Sequence, residues 1–291
     1  MRVVVTGAGG FSGSHIVPAL LGRGHDVTAV VRTSRGRLTP AVEAHPRLTL
    51  VSGDLSGALA LPSSADAIVH TAASSPAPGI TDADMERDNV GGTSALIDYA
   101  RSAGARTFIY LSSLSIYGEI AGPVVDEATP IVQPDVYGET KHRGELLLRQ
   151  APFRSLSIRL PGVLGPHSVR NWLTGVLAKA KAGEDIAIYH PDAPYNNAIH
   201  VADLADLTVR ALEAAQWTGH DSVTVGAAGM TTVRKAVDIV IRGVGSQSRI
   251  EVRPPRQPFF TISSERAQRV YGYTPMEIEA LLRRFVAENR D

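Results

Sequence analysis

The chain has 291 residues, of which 44% are hydrophobic, so it can form one large domain or two joined ones around a substantial core. Its formal net charge of +0 gives no reason to expect nucleic acid as a partner. The sequence has no cysteine, which excludes disulfides and thiolate metal sites, and we expect no metal. No apolar run reaches the roughly 18 residues of a membrane span. The chain opens on a strand pattern rather than a signal peptide, so we expect a cytoplasmic protein with no membrane partner.

The N-terminal segment, MRVVVTGAGGFSG, predicts a binding site for a diphosphate. A β-branched run at residues 3–5 leads into Gly7, Gly10 and Gly13, and helical spacing follows at once. Glycine lets the backbone approach phosphates closely, and a helix N-terminus offers N–H groups and a partial positive charge. The spacing is GxxGxxG rather than the commoner GxGxxG, but its place between a strand and a helix predicts dinucleotide binding.

Strand and helix patterns then alternate over the first part of the chain. Apolar runs predict strands at residues 27–31, 48–51, 67–70, 107–111 and 156–160, and amphipathic spacing predicts helices at 13–23, 92–103 and 136–150. This alternation is typical of the α/β class with a Rossmann-type, doubly wound parallel sheet. In such a sheet the ligand lies at the carboxyl ends of the strands.

After Pro161 the pattern weakens, because proline and glycine interrupt the chain repeatedly. Helices are predicted at residues 169–183, 201–215 and 275–288. We therefore predict a dinucleotide-binding domain at 1–160. Residues 161–291 are expected to form mainly a small C-terminal substrate-binding lobe, with some segments returning to the sheet.

A tyrosine and a lysine lie four residues apart in the predicted helix 136–150. Tyr137 and Lys141 therefore share a helix face. A tyrosine titrates near ~10, and a neighbouring lysine cation favours the phenolate and lowers that pKa. The segment SSLSIYG at 112–118 follows a predicted strand, so its hydroxyls emerge at the carboxyl edge of the sheet. Taken alone, the YxxxK pair also suits an ordinary amphipathic helix with a solvated lysine.

Further segments are similar, in order, to the motifs of one family. They are TGAGGFSG at 6–13, GDL at 53–55, HTAA at 70–73, NVGGT at 89–93, RLPGVLGP at 159–166 and HVAD at 200–203. With the YxxxK pair, they make nearly the whole chain resemble the extended short-chain dehydrogenase/reductase family, also called the NAD-dependent epimerase/dehydratase family. From the residues themselves, His70 and His200 are interpreted as hydrogen-bonded structural histidines, because no metal-like cluster surrounds either.

The resemblance implies a set of cofactor-binding and catalytic residues. Cofactor contacts are expected from Gly7, Gly10, Phe11, Ser12, Gly13, Asp54, Leu55, Thr71, Ala72, Ala73, Asn89, Pro161 and Val163, with Tyr137 and Lys141. Tyr137 would be the acid/base, Lys141 would lower its pKa and hold the nicotinamide ribose, and Ser113 would hydrogen-bond the reacting oxygen. The cofactor would supply or accept the hydride. Substrate contacts are expected from Ser113, Asn171 and Arg256.

Two departures from the family pattern reduce the number of reactions and cofactors to expect. Leu114 and Ser115 stand where 4,6-dehydratases of the family carry acidic residues, so we do not expect a dehydratase. Arg32, with Arg35 nearby, stands where NAD-binding members carry an acidic residue for the ribose diol. An arginine there suits a 2′-phosphate, so NADP(H) is favoured and NAD(H) is the alternative. The other interpretation is a solvated arginine in an arginine-rich chain.

Four functions follow, in order of preference. The first is an NADPH-dependent reductase of a keto group on a nucleotide-activated sugar. The second is a sugar-nucleotide epimerase with tightly bound NAD, the third a reductase of a non-sugar ketone or aldehyde, and the fourth a non-catalytic NADP-binding regulator. A homodimer is also expected, because family members often pair the helices that match 92–103 and 136–150. Ala95, Ala100 and residues 146–148 would pack at that contact.

Overall fold

The structure is a computed structural model that describes residues 1–32, 36–55, 57, 59–214, 217–255 and 258–290. The chain divides into two compact units. The first comprises Met1–Glu119, Ile131–Arg159 and Leu204–Val223, and the second comprises Ile120–Pro130, Leu160–Asp203 and Thr224–Asp291. Each unit is thus assembled from separate stretches of chain, and the predicted boundary between residues 160 and 161 stays a prediction.

The regular elements are given in chain order. The strands are β1 (Arg2–Thr6), β2 (Asp26–Val31), β3 (Leu48–Ser52), β4 (Ala67–His70), β5 (Thr107–Ser113), β6 (Val124–Val125), β7 (Arg154–Leu160), β8 (Gly162–Leu164), β9 (Ile186–Ile188), β10 (Pro194–Tyr195), β11 (Ala198–His200), β12 (His220–Thr224), β13 (Thr231–Thr232), β14 (Ile250–Val252) and β15 (Thr261–Ile262). The helices are α1 (Gly13–Gly22), α2 (Pro40–Glu43), α3 (Asp82–Met85), α4 (Gly92–Ser102), α5 (Val136–Arg149), α6 (Trp172–Ala182), α7 (Val201–Glu213), α8 (Val233–Gly243), α9 (Glu265–Tyr271) and α10 (Ile278–Glu288). A π-helical turn covers Glu86–Gly91, and a 3₁₀ turn covers Leu114–Tyr117.

The first unit is built on a 7-stranded sheet with the order β12-β7-β5-β4-β1-β2-β3. The pairs β1–β2, β2–β3, β1–β4 and β4–β5 are parallel. Because β1 lies inside the sheet and later strands add on both of its sides, the sheet is doubly wound. The predicted Rossmann-type sheet is confirmed, and each strand predicted from an apolar run is present. The strand β12 was not predicted.

The parallel register brings several strand ends to one edge of this sheet. Thr6 of β1 pairs with Val30 and His70, and Val31 of β2 pairs with Ser52. The residues that follow β1, β2, β3 and β4 therefore emerge side by side. Below this edge a core of apolar side chains joins the strands to α4 and α5, and it includes Val4, Ile68, Phe108, Leu96 and Leu148. Burying each large side chain contributes about 1.5–3 kcal/mol.

The second unit has a core of its own, formed mainly by α6, α8 and α10. Leu173, Val240, Leu281 and Phe285 are among its buried residues. The sequence predicted α6 and α10 but not α8 or α9. In the part of the chain that the structure describes, no helix has both the length and the apolar surface that crossing a membrane would need.

The start of α6 differs from the prediction, and the backbone gives the reason. The helix was predicted from residue 169 but begins at Trp172, because Arg170 has a φ of 61° and Asn171 is extended. The Asn171 side chain accepts a hydrogen bond from the Thr174 amide at 2.9 Å, and Thr174 completes a capping box. An asparagine at this position satisfies one of the first N–H groups of a helix.

Candidate active site

The glycine turn after β1 leaves no room for side chains. Gly7 has a φ of 68°, and a Cβ atom added there would lie 2.6 Å from the backbone nitrogen of Ala72. A Cβ on Gly13, at the start of α1, would overlap the carbonyl oxygen of Gly7. The turn between β1 and α1 is therefore packed so closely against its own backbone and the segment after β4 that these two positions require glycine.

A pocket of about 350 Å³ opens along the edge where these strands end. It is lined by Thr6, Gly7, Gly9, Gly10, Val30, Val31, Arg32, Gly36, Gly53, Asp54, Leu55, Thr71, Ala72 and Ala73. The sequence predicted eight of these as cofactor contacts and missed Thr6, Gly9, Val30, Val31, Gly36 and Gly53. All six follow from the topology, because they lie at strand ends or in the loops directly after them.

Several predicted contacts lie outside this lining. Phe11, Ser12 and Gly13 form the entry to α1, where the Arg37 guanidinium stacks over the Phe11 ring at 5.4 Å. Arg35 lies outside the described residues. The expected cofactor contacts of these residues stay predictions.

Asn89 is engaged by the protein rather than turned toward the pocket. It is 1% exposed, its Oδ1 accepts from the Ser74 amide at 2.8 Å, and its Nδ2 donates to the Ser74 carbonyl and to Thr140 Oγ1. Both hydrogens of its amide are therefore in use, and Asn89 ties the loop after β4 to α5. Its expected contact with the cofactor stays a prediction, and the observed bonds give it a supporting role.

A second group of predicted residues lies at the end of β5 and in the first turns of α5. Asp135 caps α5 by accepting from the Gly138 amide at 2.7 Å. A Cβ on Gly138 would overlap the Ser115 carbonyl oxygen, so α5 packs directly on the 3₁₀ turn. This close approach places the Ser113 hydroxyl near enough to the Tyr137 phenol to act on its pKa.

The protonation of Tyr137 differs from the expectation. Burial and the Asp135 carboxylate raise the pKa of Tyr137 to about 12, although its hydrogen bond with Ser113 acts in the other direction. The sequence-based argument placed a lysine cation beside the phenol and expected a lowered pKa. That direction is reversed here, because burial dominates. Tyr137 is therefore a protonated phenol at neutral pH.

Lys141 lies one helical turn further along α5 and is 2% exposed. Burial lowers its pKa from 10.5 to about 7, although Glu145 favours the cation. Its Nζ lies 4.4 Å from the centre of the Tyr110 ring, which offers a cation–π contact in place of water. Lys141 is thus a lysine that gains or loses its charge near neutral pH.

A buried ion pair fixes the elements that carry these residues. The Arg159 guanidinium of β7 contacts Glu145 of α5 through two bonds, of 2.8 and 3.2 Å, and donates to the Tyr117 hydroxyl at 2.8 Å. The side chains of Arg159 and Glu145 are 3% and 1% exposed. One guanidinium therefore holds together β7, α5 and the turn that follows Ser113.

The two histidines have the structural roles that were expected. His70 is fully buried, with its ring nitrogens 2.7 Å from Thr6 Oγ1 and 3.1 Å from Thr93 Oγ1. Burial lowers the pKa of His70 to about 3, so the ring stays neutral. His200 in the second unit lies 3.0 Å from Glu288 and accepts from the Ala202 amide.

The remaining predicted residues belong to the second unit. Val163 lies in β8, and its carbonyl oxygen accepts from Asn171 Nδ2 at 3.3 Å. Asn171 thus uses both ends of its amide within this unit, and Pro161 precedes β8. Arg256 lies outside the described residues. The substrate and cofactor contacts expected from these four residues stay predictions.

Comparison with known proteins decides the family. The sequence profile described as "NAD dependent epimerase/dehydratase family" matches residues 3–226. The chain belongs to the NAD-dependent epimerase/dehydratase family. The family resemblance inferred from the motifs is confirmed. The relatives of this chain are epimerases, dehydratases and reductases, so the chain belongs to a family of enzymes.

Two relatives and one solved structure illustrate the range of activities among proteins similar to this chain. A dTDP-4-dehydro-6-deoxy-D-allose reductase from Streptomyces sp. is 28% identical and covers 96% of this chain and 93% of its own. A UDP-glucose 4-epimerase from Mycolicibacterium smegmatis is 30% identical and covers 94% of both chains. The structure of UDP-glucuronic acid 4-epimerase from Bacillus cereus in complex with NAD has a TM-score of 0.84, at 20% identity and 99% and 98% coverage. That structural match confirms the fold.

The first unit fits the dinucleotide that the family name implies. Gly7 and Gly10 of the glycine turn line the pocket, and the pocket continues to Asp54 and Leu55 in the loop after β3. The polar lining consists of backbone groups and a few side chains, the composition expected for a cofactor site.

Proposed function

We propose that this enzyme reduces a keto group on a nucleotide-activated sugar with NADPH. The observation that carries the proposal is Arg32, a cation that lines the pocket beside Asp54, because an exchangeable NADPH fits net reduction of a ketone. The phenol of Tyr137 is protonated at neutral pH, and a neutral phenol can donate a proton to a ketone oxygen. The relative named as a reductase of a dTDP-linked dehydro sugar supports the same direction.

Each residue of the proposed catalytic group has a separate task. The Ser113 hydroxyl would hold the ketone oxygen, and the Tyr137 hydroxyl would deliver its proton to that oxygen. Lys141, in its cationic form, would stabilise the phenolate that remains and hold the nicotinamide ribose. The nicotinamide would supply the hydride when bound.

The preference for NADPH is proposed from Arg32. This residue follows β2 and lines the pocket beside Asp54. Guanidinium groups bind phosphates through paired hydrogen bonds, which suits a 2′-phosphate. Gly7, Gly10 and Ala72 would hold the diphosphate through their backbone, and Asp54 would contact the adenine.

A second candidate is a 4-epimerase with tightly bound NAD. The observation that favours it is the pairing of Arg32 with two carboxylates, those of Asp54 and Asp88. Negative charge near the ribose disfavours a 2′-phosphate and is tolerated by a diol. The UDP-glucose 4-epimerase relative supports this candidate as well.

One experiment separates the two candidates. Purified protein is denatured and the released cofactor is identified, and NADPH oxidation is then followed with UDP- and dTDP-linked 4-keto sugars. A reductase oxidises NADPH in proportion to the keto sugar reduced. An epimerase releases NAD on denaturation and interconverts 4-hydroxyl epimers without net consumption of cofactor. Oxidation of NADPH only by simple ketones or aldehydes would replace the sugar substrate with a non-sugar one.

A homodimer through α4 and α5 is proposed with a smaller contact than the sequence suggested. Ala95 and Leu146 are exposed, as such a contact needs. Ala100 and Leu148 are instead fully buried in the core of their own unit. Light scattering at micromolar concentration should give twice the chain mass, and Leu146→Glu should restore the monomer mass, because a buried charge opposes association.

A further inference from the structure

Arg32 belongs to a group of charges that includes a residue with no role assigned so far. Its Nε lies 2.9 Å from Asp54 Oδ2, and its Nη2 donates to Asp88 Oδ2 at 3.1 Å. The Arg32 side chain is 56% exposed, but that of Asp88 is only 7% exposed. The cation at the pocket is therefore tied to an anion that lies deeper in the protein.

Asp88 is fixed in place by two other side chains. It lies in the π-helical turn before α4, where Ser74 Oγ donates to its Oδ2 at 2.5 Å and Arg87 Nε donates to its Oδ1 at 2.9 Å. Burial raises the pKa of Asp88, but these hydrogen bonds outweigh burial and the pKa is lowered overall. Asp88 is thus ionised at neutral pH and cannot follow Arg32 if that side chain turns toward a ligand.

This arrangement affects the two cofactors differently. A 2′-phosphate bound by Arg32 would compete with Asp54 and Asp88 for the same guanidinium, and would lie close to their negative charges. An uncharged ribose diol carries no charge for these carboxylates to repel. A fixed anion beside the binding cation therefore opposes NADP(H) and leaves NAD(H) almost unaffected.

From this geometry we infer that Asp88 is a cofactor-specificity residue, whose carboxylate holds the Arg32 guanidinium and limits the preference for NADP(H) over NAD(H). The inference rests on the proposed role of Arg32 at the 2′-position. The Arg32–Asp88 pair sets the ratio of the affinities for NADP(H) and NAD(H). Asp88 does not contact the cofactor itself and acts on it through Arg32.

The test is Asp88→Asn in the full chain, with binding measured by calorimetry. Asparagine keeps the size of the side chain and an oxygen that accepts from Arg32, but it removes the charge. Affinity for NADP⁺ should rise about tenfold, because the Arg32 guanidinium no longer has to give up an ion pair with a fixed carboxylate when it binds the phosphate. Affinity for NAD⁺ should stay within about twofold. The smaller probes 2′,5′-ADP and 5′-AMP should show the same difference, because they report on the adenosine end alone.

Two matched variants check that the effect passes through Arg32. Asp98→Asn removes the same charge from α4, where Asp98 contacts Arg101 Nη1 at 3.2 Å, and it should leave the affinity ratio unchanged. The double variant Arg32→Ala with Asp88→Asn should lose the gain, because the guanidinium that profits is absent. Ser74→Ala, which loosens Asp88 without changing any charge, should shift the ratio in the same direction by a smaller amount.

Each outcome of these experiments either supports or overturns the role inferred for Asp88. An unchanged or lowered NADP⁺ affinity in a folded Asp88→Asn protein overturns the inference, as does an equal gain in Asp98→Asn or a gain that persists without Arg32. If Asp88→Asn does not fold, an unchanged ratio in Ser74→Ala overturns it. Binding of neither dinucleotide by the unaltered protein overturns both this inference and the proposed function. A shifted ratio in a protein that reduces no keto sugar supports the inference and contradicts only the proposed reaction.

Discussion

The two ends of the candidate site hold their cations in opposite ways. At the end of β2, Arg32 is 56% exposed and is paired with two carboxylates. On α5, Lys141 is 2% exposed and rests on the Tyr110 ring, and burial lowers its pKa to about 7. An exposed and paired cation stays ionised and mainly affects binding, whereas a buried one changes its protonation and affects rate. Variants at the two ends should therefore change different measured quantities.

The largest expected effect is at the buried end. Tyr137→Phe should reduce the rate by ~10²–10⁴ because only the transferable proton is lost. Cofactor affinity should stay nearly unchanged, since the ring and its packing remain. Turnover of a keto sugar and calorimetric binding of NADPH measure the two quantities on one preparation. Full activity in this variant would contradict the assigned acid.

A buried ion pair should matter far more for stability than an exposed one in the same unit. Glu145→Gln leaves Arg159 without its charge partner and should lower the free energy of unfolding by about 3–5 kcal/mol. Asp206→Asn, which breaks the exposed contact with Arg210, should cost about 0–1 kcal/mol. Urea unfolding of both variants tests the difference. Equal losses would show that burial of Arg159 and Glu145 carries no special weight.

At the exposed end, changes should appear in cofactor preference. Arg32→Ala should weaken NADP(H) by about tenfold to a hundredfold, with little effect on NAD(H), because a charge-assisted contact is lost. Adding Val31→Asp should invert the preference, since it repels the phosphate and accepts from the ribose diol. Calorimetric titrations with both dinucleotides measure the ratio. Tighter binding of NAD than of NADP by the unaltered protein would contradict the role proposed for Arg32 and favour the epimerase.

The smallest expected effect on rate is a pH dependence, and stability should change with pH in the opposite direction. If the Lys141 cation supports catalysis, the rate falls as pH rises through about 7, to about half at that pH. Stability should instead rise between about 7 and 10.5, because in that range the unfolded state binds the proton that the folded state has lost. Rate profiles and unfolding curves from pH 6 to 10 measure both trends. Lys141→Met, which should also impair rate and cofactor binding, should lack both pH trends, and their persistence in that variant would assign them to another group.

Much of the first unit could be predicted from local patterns. Strand β4 and the starts of α4 and α5 coincide with the predicted residues, because buried parallel strands and amphipathic helices have distinct periodicities. The glycine turn was recognisable from its glycine spacing between a strand and a helix. The structure gives the reason for two of these glycines, because a side chain cannot fit at Gly7 or Gly13. The second unit was less predictable. Its short strands have too few residues to show a hydrophobic period. Helix α6 begins later than predicted because Asn171 caps its N-terminus.

The candidate site divides in a similar way. Tyr137, Lys141, Gly7 and Gly10 were named from their spacing, and Ser113 was named from the resemblance to the family. Asp88 was not named, because its proposed role depends on contact with Arg32, which follows β2 and lies far away in the sequence. Arg159 and Glu145 were also missed, since a charged residue in a helical pattern is ordinarily exposed.

By itself the sequence determined the fold class and the family, and it named the residues to which the proposed chemistry is assigned. These depend on hydrophobic period and on motifs within a few residues of one another. The tertiary structure alone decided the protonation of Tyr137 and Lys141 and the partners of Arg32. A pKa depends on burial and on charges from other elements, and an ion pair needs two side chains to meet. Neither quantity is contained in the local order of residues, because both arise only when the sheet and its helices pack together.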